Sequence, residues 1–84
     1  MLQERHLVPL SKLPVGARCK VVAVEVGEPE RLRLLGLGLV PGTKVEVVRK
    51  SPCGDPIAYK IRGAVVALRQ ETARQVLVVP DDSE

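Results

Sequence analysis

The chain has 84 residues, 45% of them apolar, and 13 basic against 10 acidic side chains, for a net charge of +3. One domain of this length buries about 60–65% of its unfolded surface, which leaves no room for a second core, so residues 1–84 are expected to form a single domain. No apolar run reaches the roughly 18 residues that a membrane span needs, no block of like charge marks a polyanion site, and the first residues lack the apolar centre of an export signal. Cys19 and Cys53 form no CxxC pair, and without an export signal they are expected as reduced thiols in the cytoplasm.

Fifteen valines and eleven leucines, with one tyrosine and no phenylalanine or tryptophan, favour sheet, because a β-branched side chain loses rotamer freedom in a helix and fits a pleated surface. The chain opens with a lead-in over residues 1–16, of which 1–10 lie ahead of the domain proper. In it Leu7, Leu10 and Leu13 are apolar, and Ser11 is placed to cap one turn. Ala17 to Val26 reads as the first strand, with Val22, Val24 and Val26 on its apolar face. Next comes ERLRLLGLGLVPGT, Glu30 to Thr43, which predicts a short helix over about 29–37. Pro29 suits its first position, Gly38 a left-handed stop, and Pro41 forbids resumption. Pro41-Gly42 makes a type II turn into a second strand, Thr43 to Lys50, with Val45 and Val47 inward. SPCGDP is a loop in which Gly54-Asp55 supplies positive φ and Pro56 begins a strand. Ile57, Tyr59 and Ile61 point inward from the third strand, Gly63 turns the chain, and Val65 to Leu68 is the fourth. Arg69 to Gln75 fits one helical turn with Ala73 inward, Val76 to Val79 closes the sheet, and 80–84 reads as a disordered tail. The fold class is therefore mainly β. We expect a small SH3-like, five-stranded, partly open barrel, with one short helix after the first long strand and a helical turn before the last.

Chemistry is sparse. The glycines at 36, 38 and 42 are spaced GxGxxxG after a helix and lack the GK[ST] of a phosphate loop, so helix packing at Gly36, a cap and a turn account for them. His6 has no nucleophile set beside it, and His6, Cys19 and Cys53 would make at most an adventitious metal site. Asp55 reads as a turn residue bonding its own backbone. No catalytic residue, metal ligand or cofactor is expected. Nucleic acid is disfavoured, since Tyr59 is the one aromatic and its alternation places it in the core.

The helix itself carries the functional signal. Leu32, Leu35 and Leu39 are expected to close the barrel, which turns Leu34 and Leu37 outward. Either Leu7, Leu10 and Leu13 fold back over that pair, or Leu34 and Leu37, flanked by Arg31 and Arg33, form a partner-binding surface. Self-association, or a swapped lead-in, would satisfy both.

RLLGLGLVPGT (33–43), SPCGDPI (51–57) and IRGAVVALRQETARQVLV (61–78), in this order and spacing, resemble the FeoA family of small accessory proteins of bacterial ferrous iron uptake. The resemblance implies an SH3-like barrel and a regulatory partnership with FeoB, a membrane iron transporter with a cytosolic GTP-binding domain. It places the chain in transition metal ion transport without supplying a ligand set for iron. Leu39, Pro41 and Gly42 match the family's helix-to-strand turn, Gly54, Asp55 and Pro56 its hairpin loop, and Gly63 its late strands. The expected function is a non-enzymatic, cytoplasmic interaction module acting on FeoB. The alternatives are a small nucleic-acid-binding barrel and a GTPase-activating factor working through Arg33.

Overall fold

The computed structural model describes residues 6–81. Among these residues six antiparallel strands form one sheet: β1 (Val8–Pro9), β2 (Arg18–Val24), β3 (Lys44–Lys50), β4 (Ile57–Ile61), β5 (Ala64–Leu68) and β6 (Val76–Pro80), in the spatial order β1-β6-β2-β3-β4-β5. Two short helices interrupt them, α1 (Glu30–Leu37) and α2 (Gln70–Ala73). The sheet is open, with β1 and β5 at its edges.

The sixth strand is the element that sequence pattern does not reveal. β1 is two residues long and pairs Val8 with Val78 and Pro9 with Leu77, too short to show any alternation. It leads into a 3₁₀ turn, Leu10–Lys12, whose cap is Pro9 and makes no side-chain bond, so Ser11 lies inside the turn rather than capping it. Leu10 and Leu13 enter the core, while Leu7 stays exposed. At the other end Pro80 continues β6 opposite Cys19, and the Asp81 amide donates to the Arg18 carbonyl at 2.9 Å. The expected disordered tail therefore starts no earlier than 82, and 82–84, like 1–5, fall outside the described residues.

Where alternation is unbroken the inward residues are those the pattern names: Val45 and Val47 on β3, Ile57, Tyr59 and Ile61 on β4, all within the core. β2 departs from it. Val21 faces Val78 but Ala23 faces Leu77, so Val22 is a bulge residue with no opposite number. The extra residue flips the parity of the strand. Cys19 and Val21 face the core before it, Val24 and Val26 pack on the core after it, and Val22 itself is exposed.

Two turns depend on left-handed backbone. Thr43 N–H closes on the Val40 carbonyl at 3.0 Å around Gly42, whose φ is 97°, giving the type II turn. Arg62 and Gly63, at φ 51° and 84°, join β4 to β5 through a two-residue turn in which Ile61 pairs with Ala64. The 51–56 loop uses Gly54 alone for positive φ, 86°; Asp55 does not share it. The Glu28–Pro29 and Asp55–Pro56 bonds are cis.

Candidate functional site

α1 lies between β2 and β3 and is fastened at its C-terminal end. Gly38, at φ 99°, donates to the Leu35 carbonyl at 3.0 Å, and Leu39 donates to the Leu34 carbonyl at 3.0 Å. This is the paired bonding of a Schellman stop, in which the residue after the left-handed glycine touches the residue one turn back in the helix. Thr43 Oγ1 adds a bond to the Gly38 carbonyl at 2.7 Å, and Gly42 N–H donates to the Val21 carbonyl at 2.8 Å, tying the turn to β2.

That stop decides which face of the helix is buried, and it reverses the expected assignment. Leu39 goes into the core, so Leu34 goes with it: Leu34 is 0% exposed and Leu37 packs half-buried against the same cluster. Leu34 is therefore closed to a partner, while Leu37 keeps part of its surface in solvent. Leu32 and Leu35, expected to close the barrel, instead face solvent at 59% and 38% exposure. Gly36 is exposed with nothing near it, so it packs no helix. The solvent face of α1 is thus Leu32 and Leu35 with Arg31 beside them and Arg33 at its margin.

Arg33 is engaged. Its Nη2 lies 2.6 Å from Glu30 Oε2, one turn back, and Thr72 Oγ1 donates to the same oxygen at 3.5 Å, linking α1 to α2. The bond from Arg33 holds the Glu30 carboxyl below the usual carboxylate range. Between the two helices runs a polar groove of about 440 Å³, lined by Glu30, Arg33, Arg69, Glu71 and Thr72 among others.

The remaining candidates sit in folding roles. Asp55 Oδ1 accepts from Gln70 N–H at 2.9 Å, so it caps α2 from another loop instead of bonding its own backbone. Leu39, Pro41, Gly42, Gly54, Pro56 and Gly63 occupy the core or the turns just described. Cys19 is buried, its Sγ 3.6 Å from the Val45 carbonyl, and burial pushes its thiol up to about 11. Cys53 is an exposed free thiol and His6 is exposed in the lead-in. Among the described residues no three His, Cys, Asp or Glu side chains converge on a point where a metal could bind. Tyr59 is wholly buried and offers no platform to a nucleobase.

The FeoA domain family model matches residues 8–80, nearly every described position. The chain belongs to the FeoA domain family. A fusion of Fe(2+) transport protein A with the Fe(2+) transporter FeoB from Porphyromonas gingivalis is 38% identical over 69 residues. That match takes in 82% of this chain and 8% of the fusion protein, so the chain spans under a tenth of that relative's length. The solution structure of FeoA from Chlorobium tepidum is 35% identical, covers 92% of this chain and 74% of its own, and superposes with a TM-score of 0.83. FeoA of Stenotrophomonas maltophilia, a procaryotic SH3 domain protein crystallised with zinc, is 33% identical over 82% of this chain and 86% of its own, with a TM-score of 0.72. The FeoA likeness and the SH3-like architecture thus hold together, and the Porphyromonas gingivalis relative that carries the domain is a ferrous iron transport protein. No helix among the described residues is long and apolar enough to cross a membrane.

Proposed function

We propose that this FeoA domain is a non-catalytic cytoplasmic accessory of ferrous iron transport that docks on the GTP-binding part of FeoB through the outer face of α1. The observation that carries the reading is the pair Leu32 and Leu35, left in water on a helix whose inner face is already sealed. Fully covering a leucine is worth about 1.5–3 kcal/mol, so a partner that closes over this pair gains at its centre, and Arg31 and Arg33 supply a polar rim. The Porphyromonas gingivalis relative, which carries both partners in one chain, supports the pairing. Fusion raises the effective concentration of one module near the other, an advantage where the two act together.

The test is capture of the transporter's cytosolic domain by the full chain and by Leu32→Glu and Leu35→Glu. The few central residues that dominate an interface cost more than about 1 kcal/mol when truncated, so each variant is expected to weaken binding about fivefold or more while keeping its circular dichroism. Undiminished capture by both folded variants would remove this face from the interface.

A further inference from the structure

The two edges of the sheet are unlike. β1 is two residues long and ends in Pro9, which has no N–H to offer. β5 is five residues long, reads AVVAL, and contains no charge, no proline and no bulge. Proteins ordinarily blunt an exposed edge with one of those devices, because its unpaired N–H and C=O groups are a template for another strand. Val65, at 63% exposure, stands on that edge.

Which groups point outward follows from the turn. A two-residue hairpin loop makes its flanking residues, Ile61 and Ala64, a hydrogen-bonded pair. The alternation then commits Ala64, Val66 and Leu68 to β4. Val65 and Ala67 turn their N–H and C=O away from it, and β4 is the only strand that β5 pairs with among the described residues.

We propose that β5 is a pairing edge for β5 of a second copy of this chain, about a two-fold axis at Val66. This register matches the two strands over their whole length. Val65 meets Ala67 of the second copy, both with outward groups, so each such pair exchanges two backbone hydrogen bonds. Val66 meets its own counterpart, and Ala64 meets Leu68. The flanking charges accept it: Arg69 falls level with Gly63 and Arg62 level with Gln70, so no two cations are opposed. Shifting the register by one residue would set Arg62 against Arg69 and would oppose an outward-bonding residue to one already committed to β4. The contact is isologous and joins two open sheets into one. A contact this short makes a weak dimer, populated as concentration rises.

Sedimentation equilibrium across a wide concentration range tests it on the full chain, with Ala67→Pro, which removes an outward N–H, and Val65→Lys, which sets a cation diagonal to Arg69 of the second copy. The wild type is expected to rise from one chain to two in weight-average mass, and amide exchange at Val65 and Ala67 to slow in step. The folded variants should remain at one chain, and if the proline variant does not fold, Val65→Lys decides. A wild type that stays at one chain overturns the proposal, as does a dimer that persists in a folded edge variant. Protection at Val65 and Ala67 that appears only when the transporter's GTP-binding domain is added assigns the edge to that partner and equally overturns it. Leu32→Glu, which tests the α1 surface, is expected to leave the dimer intact, so the two readings fail separately.

Discussion

Replacing Leu34 and Leu32 in turn by alanine separates the inner face of α1 from its outer face. Leu34 is fully buried and in the core with Leu39, so its truncation removes buried methyl groups and leaves a cavity beneath the Schellman turn. Core leucine-to-alanine changes cost about 2–5 kcal/mol, and a value near 3 is expected here. At about 0.05–0.15 kcal/mol per residue this chain has on the order of 4–13 kcal/mol to lose, so the loss is a large share of the total. In a domain of this size about 1 kcal/mol moves the thermal midpoint by about 4–8 °C, which predicts a fall of about 12–24 °C. Leu32 is largely in water, and alanine is the better helix former, so Leu32→Ala should stay within about 0.5 kcal/mol of wild type. Urea unfolding followed by far-ultraviolet circular dichroism measures both, with unchanged slopes as the check that only stability moved. Equal costs for the two variants, or a Leu34→Ala cost below about 1 kcal/mol, would refute the assignment of faces.

Gly38→Ala should destabilise by about 1–2 kcal/mol, because a side chain at φ 99° is strained and its Cβ would lie 2.8 Å from Arg62 Cδ. Combining it with Arg62→Ala should cost less than the two singles added, and strict additivity in the urea midpoints would show that the clash contributes nothing. Tyr59→Phe is expected to be neutral or mildly stabilising, since the buried hydroxyl has no hydrogen-bond partner among the described residues; a loss above about 1 kcal/mol would mean that it has one. Glu30, held below the usual range by Arg33, contributes stability that is present above the unfolded carboxyl value and is lost as pH falls through the folded one. Carbon-13 titration of its carboxyl should show a depressed midpoint that returns upward in Arg33→Ala, and a midpoint indifferent to Arg33 would break the link.

Much of this fold is legible in the residues. Val45, Val47, Ile57, Tyr59 and Ile61 follow a two-residue period through β4 and through β3 as far as Val47, after which the register shifts, and the punctuation by Pro41-Gly42 and Gly63 places the turns correctly. β2 is misread because period counting assumes an unbroken pleat, and one inserted residue at Val22 exchanges its faces. The helix is misread for a different reason. Its leucines occupy both sides of a two-turn cylinder, so spacing alone cannot choose between Leu32 with Leu35 and Leu34 with Leu37. The information was present further along: a left-handed glycine at 38 brings Leu39 back against Leu34, and that local contact names the inner face. Asp55 shows the other limit, since its partner is the Gln70 amide fifteen positions away and no local pattern announces it.

The way α1 is mounted also sets its mechanics. Its far end is riveted to β2 and β3 by Gly42, Thr43 and the buried Leu34–Leu39 pair, whereas its near end makes, among the described residues, a single side-chain bond to another element, the long one from Thr72. A helix mounted this way is held more firmly at the rivet than at the tip. Anything that grips Leu32 will therefore pull on Glu30 and Thr72 first, and the earliest trace of an engaged partner is to be sought at the seam between the two helices, well before the sheet feels it.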